Sequence, residues 1–364
     1  MPAPVATRRA RLQMPFAMQA LSVSNDPLNI QDIRLYITSS GAFLKLTTQG
    51  GVAGWGAMPG GNAGDLGAAN LVLRGKPVSA YEAVELSLKP FPRIACAAVM
   101  AMLDCLGKHT NAPVYQVLGG PTRHKVRVMA STSHPTQIGE IRAARAAGHR
   151  AFSLDIPAPP FPNSGKLYVN RIRALVDEAR AAAGEGCDFV LSANAQLTAG
   201  DAQQLAAEFE RTHLLWLDEP CRHGNTSALR KISDESVTPI GLGRDCRDAS
   251  DFQDLLREEA ADILRPSLNH FSLARTRKIA ALAETYYIAV APTYSGGTLA
   301  TAAALHLAAS IPNFFITHLP RRAPDDPVKG LDLTVRDGYL NLPTASGLGI
   351  TVDEAALARM EVRA

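Results

Sequence analysis

From Val126 onward the sequence keeps a beat that few folds can accommodate. Short β-rich runs recur as "VRVMAS" (126–131), "AFSLDIP" (151–157), "DFVLSAN" (188–194), "LLWLDEP" (214–220), "PIGLGRD" (239–245), "DILRPSLN" (262–269), "YIAVAPTY" (287–294) and "FFITHLP" (314–320). Stretches with helical spacing separate them, such as "NTSALRKISDES", "ASDFQDLLREEA", "SLARTRKIAALAETY" and "TLATAAALHLAAS", and Asn225, Asp248 and Ser272 are placed to cap three of these helices. Most intervals are about 25 residues, the length that one strand, one helix and two short loops need. Eight strands alternating with helices predict a parallel sheet closed into a (β/α)8-type barrel, with an open doubly wound sheet as the alternative. No G-x-G-x-x-G or G-x-x-x-x-G-K-[ST] follows any of the runs, so a nucleotide-binding reading of the open sheet has no support.

The residues before 120 have a different texture. "DIRLYITSSGAFLKLTTQGGVAGWGA" alternates like a β-meander with Gly-rich turns, and "SAYEAVELSLKPF" and "ACAAVMAMLDCLGKH" follow with helical spacing. The organisation expected is a tail at 1–28, an α+β capping domain at 29–124, the barrel at 125–325, and a segment at 326–364 that packs back on the cap. Trp55 is expected to pack within the cap, and "RRAPDD" to be a solvated loop. The tail carries Arg8 and Arg9 before a short apolar stretch interrupted by Gln19. It is expected to be disordered, with a twin-arginine-like export signal as the weaker reading against a cytoplasmic protein.

Bulk properties exclude several classes. A net charge of +3 spread along the chain gives no footprint for nucleic acid or an anionic membrane, and no apolar run reaches the length of a membrane span. The five cysteines are odd in number and lack C-x-x-C spacing, which argues against a zinc site or a disulfide framework.

In barrels of this kind the C-terminal strand ends form the site, which places Glu219 at the mouth as the fourth strand leaves the core. Here the chain resembles the enolase superfamily, in its mandelate racemase and muconate lactonising branch. The carriers are "FLKLTTQGGVAGWGA", "APVYQVLGGPTRHKVRV", "LLWLDEP", "VAPTYSGGTLATAAALHLAASIPNF" and "DGYLNLPTASGLGI", in order along the chain from about residue 30. The resemblance implies an α/β fold: a modified TIM barrel, (β/α)7β, under an α+β capping domain. It also implies abstraction of a proton next to a carboxylate, with Mg2+ stabilising the enediolate on carboxylates that end strands three, four and five.

Position by position, that machinery is altered. The first metal-ligand position is Ser192 in place of Asp; the second, Glu219, is kept; the third is Arg244 in place of Glu. The second-strand lysine motif reads "SLD", with Ser153 and Asp155. The sixth-strand Asp becomes Ser267, the seventh-strand His becomes Thr293, and the acid near the end of strand eight becomes His318 or lies close by. A guanidinium about 4 Å from a divalent ion repels it by several kcal/mol even at an effective dielectric of 20. Arg244 is therefore expected to pair with Glu219, and no cofactor is expected although the family uses Mg2+.

Three functional readings follow. In the first, the barrel has lost metal-assisted proton abstraction and survives as a carboxylate-binding or regulatory protein, with Arg244, Ser192, Ser267, Thr293, Ser153 and Asn194 around a small carboxylate. In the second, Asp155, His318 and Tyr294, with Arg244 and Asp245, run rebuilt chemistry without metal. In the third, sugar-acid dehydration or racemisation continues with displaced ligands such as Asn194, Asp218 or Asp245. His223 and Asn225 are loop residues or ligand contacts. The residues themselves do not give the oligomeric state, and the resemblance leaves a homo-oligomer open, since the family commonly assembles symmetrically.

Overall fold

The computed structural model describes residues 26–133, 136–222, 224 and 226–362. The tail up to residue 25, the cap assigned to Asn225 and the loop residue His223 lie outside them.

Alternation in the first part of the chain makes an antiparallel meander of β1 (Ile30–Thr38), β2 (Gly41–Thr48) and β3 (Ala53–Met58). Three helices follow: α1 (Ala63–Leu73), α2 (Tyr81–Ser87) and α3 (Pro92–His109). One face of the meander, carrying Ile33, Leu35, Leu44, Leu46 and Met58, shares a core with Ile94, Ala98 and Met102 of α3. Sheet and helix approach so closely that a Cβ on Gly56 would lie 1.9 Å from the Ala97 carbonyl oxygen, so only glycine fits there. Trp55 is buried beside Tyr36, with ring centroids 5.9 Å apart.

After the short α4 (Val114–Val117) the beat begins. Its elements are β4 (Lys125–Thr132), α5 (Gln137–Ala146), β5 (Ala151–Asp155), α6 (Gly165–Ala183), β6 (Asp188–Ser192), α7 (Ala199–Glu208), β7 (Trp216–Asp218) and α8 (Thr226–Asp234). It continues with β8 (Ile240–Leu242), α9 (Ala249–Arg257), β9 (Ile263–Leu264), α10 (Leu273–Glu284), β10 (Ala289–Val290), α11 (Gly297–Ser310) and β11 (Thr317–Leu319). The strands pair in parallel from β4 through β10 in sequence order, and β11 returns to β4. A parallel bridge between Val290 and Phe314 closes the ring. The eight-strand barrel under an α+β cap is thus what the chain forms. Asp248 caps α9 with a full capping box, and Ser272 caps α10 through the Arg275 N–H.

Side chains divide between the two faces of the ring as the pleat demands. Met129, Val190, Trp216, Ile263, Ala291 and Ile316 fill the interior, while Phe152, Leu154, Phe189, Leu191, Leu242 and Leu264 face the helices. The strands are shorter than the β-rich runs suggest, because the runs include the turns that carry the chain out at the mouth.

The C-terminal part splits its contacts. β12 (Val328–Lys329) pairs with β14 (Thr351–Val352), while β13 (Tyr339–Asn341) runs antiparallel to the start of β4 at the far end of the barrel. α12 (Glu354–Met360) lies against the meander, with Glu354 accepting from Lys45 Nζ at 2.6 Å and Tyr36 Oη at 3.1 Å. Buried Asp104 ties these parts together, accepting from the backbone N–H of Trp55 and Leu348 and from Lys108 Nζ. "RRAPDD" is more than a solvated loop, because Asp326 accepts from Thr298 N and Oγ1 and so caps the first turn of α11.

Candidate functional site

At the C-terminal ends of the strands a cavity of about 300 Å3 opens, lined by Ser131, Ser153, Ser267, Asn269, Thr293, His318 and the two guanidinium groups of Arg244 and Arg265. Met129 and Tyr294 complete the wall. Below it, the Trp216 indole lies across the barrel with Arg265 stacked on it, 5.0 Å from the ring centroid. A Cβ on Gly241 would come within 2.4 Å of that indole, so the glycine of β8 leaves the space the ring occupies.

Register decides which carboxylate enters the site. Along β7, Trp216 points in, Leu217 out and Asp218 in, and Asp218 is fully buried opposite Ser192 of β6. Asp218 Oδ1 accepts from Trp216 Nε1 at 2.7 Å and Arg265 Nε at 2.7 Å, and Oδ2 accepts from Arg244 Nη1 at 3.2 Å. Glu219 then turns away on a left-handed backbone, φ 45°, and its Oε1 accepts from the backbone N–H of Arg244 at 2.6 Å. This corrects the sequence-based expectation of a guanidinium fork on Glu219: the guanidinium of Arg244 goes to Asp218, and Glu219 holds only its backbone. Burial, reinforced by the charge of Asp218, pushes the Glu219 carboxyl up to about 7, against the pull of the Arg244 N–H and the two arginines.

A polar chain therefore crosses six strand ends, from β5 to β10. The Asn194 amide donates to Asp155, and its Oδ1 accepts from Arg244 Nη2 at 2.5 Å. Arg244 Nη1 also donates to Ser192 Oγ at 3.4 Å, and Asp218 passes the chain on to Arg265, whose Nη1 donates to the Ala291 carbonyl at 2.7 Å. Arg265 is 2% exposed, and burial lowers its pKa while the charge of Asp218 opposes that.

Tyr294 and His318, proposed from sequence as catalytic groups, hold each other. Tyr294 Oη donates to the His318 carbonyl at 2.9 Å, His318 Nε2 meets the Tyr294 carbonyl at 2.8 Å, and the rings stack with centroids 4.5 Å apart. Because a carbonyl only accepts, Nε2 carries the proton and Nδ1 the lone pair. Burial, then the charge of Arg265, pushes the imidazole down to about 4, so it is neutral at physiological pH. Burial also pushes the Tyr294 phenol up, and its single proton is already committed.

Of the residues named from sequence, Ser153, Arg244, Ser267, Thr293, Tyr294 and His318 line the cavity, whereas Asp155, Ser192 and Asn194 stand behind Arg244 and Glu219 is turned from it. Of the displaced ligands considered for a metal, Asp218 is taken up by the two arginines, and Asp245 lies 3.8 Å from Arg247 with most of its side chain exposed. Sequence reasoning missed Ser131, Arg265 and Asn269. For Arg265 the signal was present: a cation directly after Ile263 and Leu264 in "DILRPSLN", two residues before Ser267 and hence on the same face of the strand.

The Mg2+ that the family resemblance implies does not fit this donor set. The inherited ligand positions present Ser192, the carboxylate of Asp218 or Glu219, and a guanidinium hydrogen-bonded among Ser192, Asn194 and Asp218. Among the described residues no group of three or more His, Cys, Asp or Glu is arranged to hold a metal ion. Hard cations need several oxygen ligands, and this site offers cationic donors instead.

Fold and site together define a capped (β/α) barrel with a polar cavity at its mouth. Residues 138–356 match the family described as enolase C-terminal domain-like, and the chain belongs to that family within the enolase superfamily. It is 28% identical to a D-xylonate dehydratase of Haloferax volcanii over 297 residues, 77% of this chain and 68% of that protein. It is 29% identical to a D-mannonate dehydratase of a Caulobacter species over 300 residues, 73% of this chain and 74% of that one. A mandelate racemase/muconate lactonizing enzyme of a Sulfitobacter species shares the fold, with a TM-score of 0.80 at 24% identity over 92% of this chain and 96% of that structure. Among the described residues no helix is long and apolar enough to cross a membrane.

Proposed function

We propose that this protein acts on sugar acids as a lyase of the dehydratase type, in a site rebuilt around guanidinium groups. The observation that carries this reading is the lining of the cavity: four hydroxyls (Ser131, Ser153, Ser267, Thr293) and the Asn269 amide beside Arg244 and Arg265. Hydroxyls and an amide suit a polyhydroxylated chain, and guanidinium groups suit its carboxylate. The names of the relatives point to the same substrate class.

In the reaction proposed, the proton next to the carboxylate is removed and the neighbouring hydroxyl leaves with a proton as water. The resulting enol becomes a 2-keto-3-deoxy acid. Arg244 and Arg265 supply fixed positive charge where negative charge develops. His318, which lines the cavity and is neutral with its Nδ1 lone pair, is the group placed to take up and return a proton, while Asp155 stands behind Arg244 and holds the Asn194 amide.

A second reading, a carboxylate-binding barrel without turnover, is favoured by one specific observation. His318 is a weak base, and its ring is locked against Tyr294. Incubation with D-xylonate, D-mannonate and other aldonates, followed by NMR, separates the two. Release of a 2-keto-3-deoxy acid supports the lyase. Binding of an aldonate with no product at high enzyme concentration discards it in favour of the binding reading.

A further inference from the structure

Arg244 has capacity to spare. Its bonds to Ser192, Asp218 and Asn194 use three of the five N–H groups of the guanidinium. Among the described residues Nε–H and the second Nη2–H carry no partner, and 30% of the side chain is exposed where it lines the cavity. Its position is fixed from behind. Asp218 is held by Arg265 and Trp216, and Asn194 is held against Asp155, so the guanidinium plane is anchored at both Nη atoms. Two guanidinium groups share one Asp218, which leaves the triad with a net positive charge facing the hydroxyl-lined space, while Glu219 is turned to the backbone of Arg244.

We propose that Arg244 is the carboxylate clamp of this barrel, a tethered cation that takes over the charge-neutralising part of the divalent ion, so that the ligand is bound without metal. The inference rests on the sugar-acid reading of the same cavity and adds how the acid is held. Arginine's planar fork suits this work, since two parallel N–H groups match the two oxygens of a carboxylate. Asp218 and Arg265 are positioning residues: they touch the guanidinium or its anchor and leave its remaining donors to the ligand. Ser192 belongs to the same arrangement, because an Asp at that position would compete with the ligand for Arg244.

The test is calorimetric titration of the full chain with D-xylonate and D-mannonate, each in EDTA and in Mg2+. Affinity for at least one aldonate is expected to be the same in both buffers. Arg244→Ala is expected to weaken it by at least about tenfold and Arg244→Lys by less, since a single ammonium keeps the charge and loses the fork. The double change Ser192→Asp with Arg244→Glu is expected to make binding depend on Mg2+. Loss of wild-type binding in EDTA, unchanged affinity in Arg244→Ala, or no binding of either aldonate overturns the proposal. The wild-type comparison stands even if a variant fails to fold. Binding and product that both require Mg2+ sink the clamp and leave the lyase, whereas EDTA-resistant binding without product in either buffer leaves the clamp and sinks the lyase.

Discussion

Arg265 and Asp218 form an ion pair inside the barrel, Nε to Oδ1 at 2.7 Å, with side chains 3% and 0% exposed. Two desolvated charges at that depth are costly apart and tolerable together. Arg265 also lies on the Trp216 ring and donates to Ala291, so it links the floor of the cavity to β10. The pair thus couples the barrel's stability to the position of Arg244.

Removing one partner exposes that cost. Arg265→Met is expected to destabilise the protein by about 3–5 kcal/mol, because Asp218 keeps its charge with one arginine fewer. Adding Asp218→Asn should recover part of the loss. Urea unfolding of the two variants measures both effects, and a loss below about 1 kcal/mol for the single variant would show that the pair is not needed.

Gly241 tests the floor. In Gly241→Ala the new methyl would need the space of the Trp216 indole, 2.4 Å away, and the ring must move or the strand must yield. A stability loss of roughly 1–3 kcal/mol is expected, as for other overpacked cores. Because Trp216 Nε1 donates to Asp218, the near-ultraviolet circular dichroism of the indole should change with it. An unchanged spectrum and midpoint would mean that the backbone absorbs the methyl elsewhere.

Glu219 carries a stability cost that depends on pH. Its folded pKa, about 7, lies above the ordinary carboxyl value of 4.5. Between those values the folded state holds a proton that the unfolded state has released, so this group's contribution falls as pH rises, and the cost is complete above 7. Glu219→Gln keeps an acceptor for the Arg244 N–H and removes the titration. The variant should be more stable than wild type at pH 8, by up to about 3 kcal/mol, and the difference should shrink toward pH 5. A stability difference independent of pH would place the titration elsewhere.

The residues around Arg244 also show what could be read in the sequence. The barrel was legible because eight β-rich runs at even spacing leave few other ways to bury two-faced strands. The identity of the inward carboxylate was harder to see. The run Leu214–Leu217 is apolar at every position because barrel strands are buried on both faces, so its alternation is hidden. Only the register, with Trp216 and Asp218 inward, and the left-handed turn at Glu219 settle it. Arg244 was found by its position in the order of strand ends, but its partner was not, since the choice between Asp218 and Glu219 depends on that turn. Arg265 is visible as a charge following Ile263 and Leu264, but its inward direction depends on the register of β9.

His318 supplies a prediction of opposite sign. Burial and the charge of Arg265 hold its folded pKa at about 4, below the ordinary 6.5. As pH falls from 6.5 to 4 the unfolded state takes up a proton that the folded state refuses, so the group's contribution is intact above 6.5 and is lost as the solution is acidified. His318→Gln keeps an amide donor for the Tyr294 carbonyl and cannot titrate, so it should lose less stability than wild type between pH 6.5 and 4, by about 1–3 kcal/mol at the acid end. His306, also buried and pushed down to about 4, adds a similar acid sensitivity in both proteins, which makes the difference between the two unfolding curves the quantity to measure. Glu219 gains stability in part of the same range and cancels in that difference as well, provided the variant leaves β7 undisturbed. Parallel curves from pH 8 to 4 would mean that His318 titrates alike in both states, so that burial and the charge of Arg265 do not hold its proton affinity down.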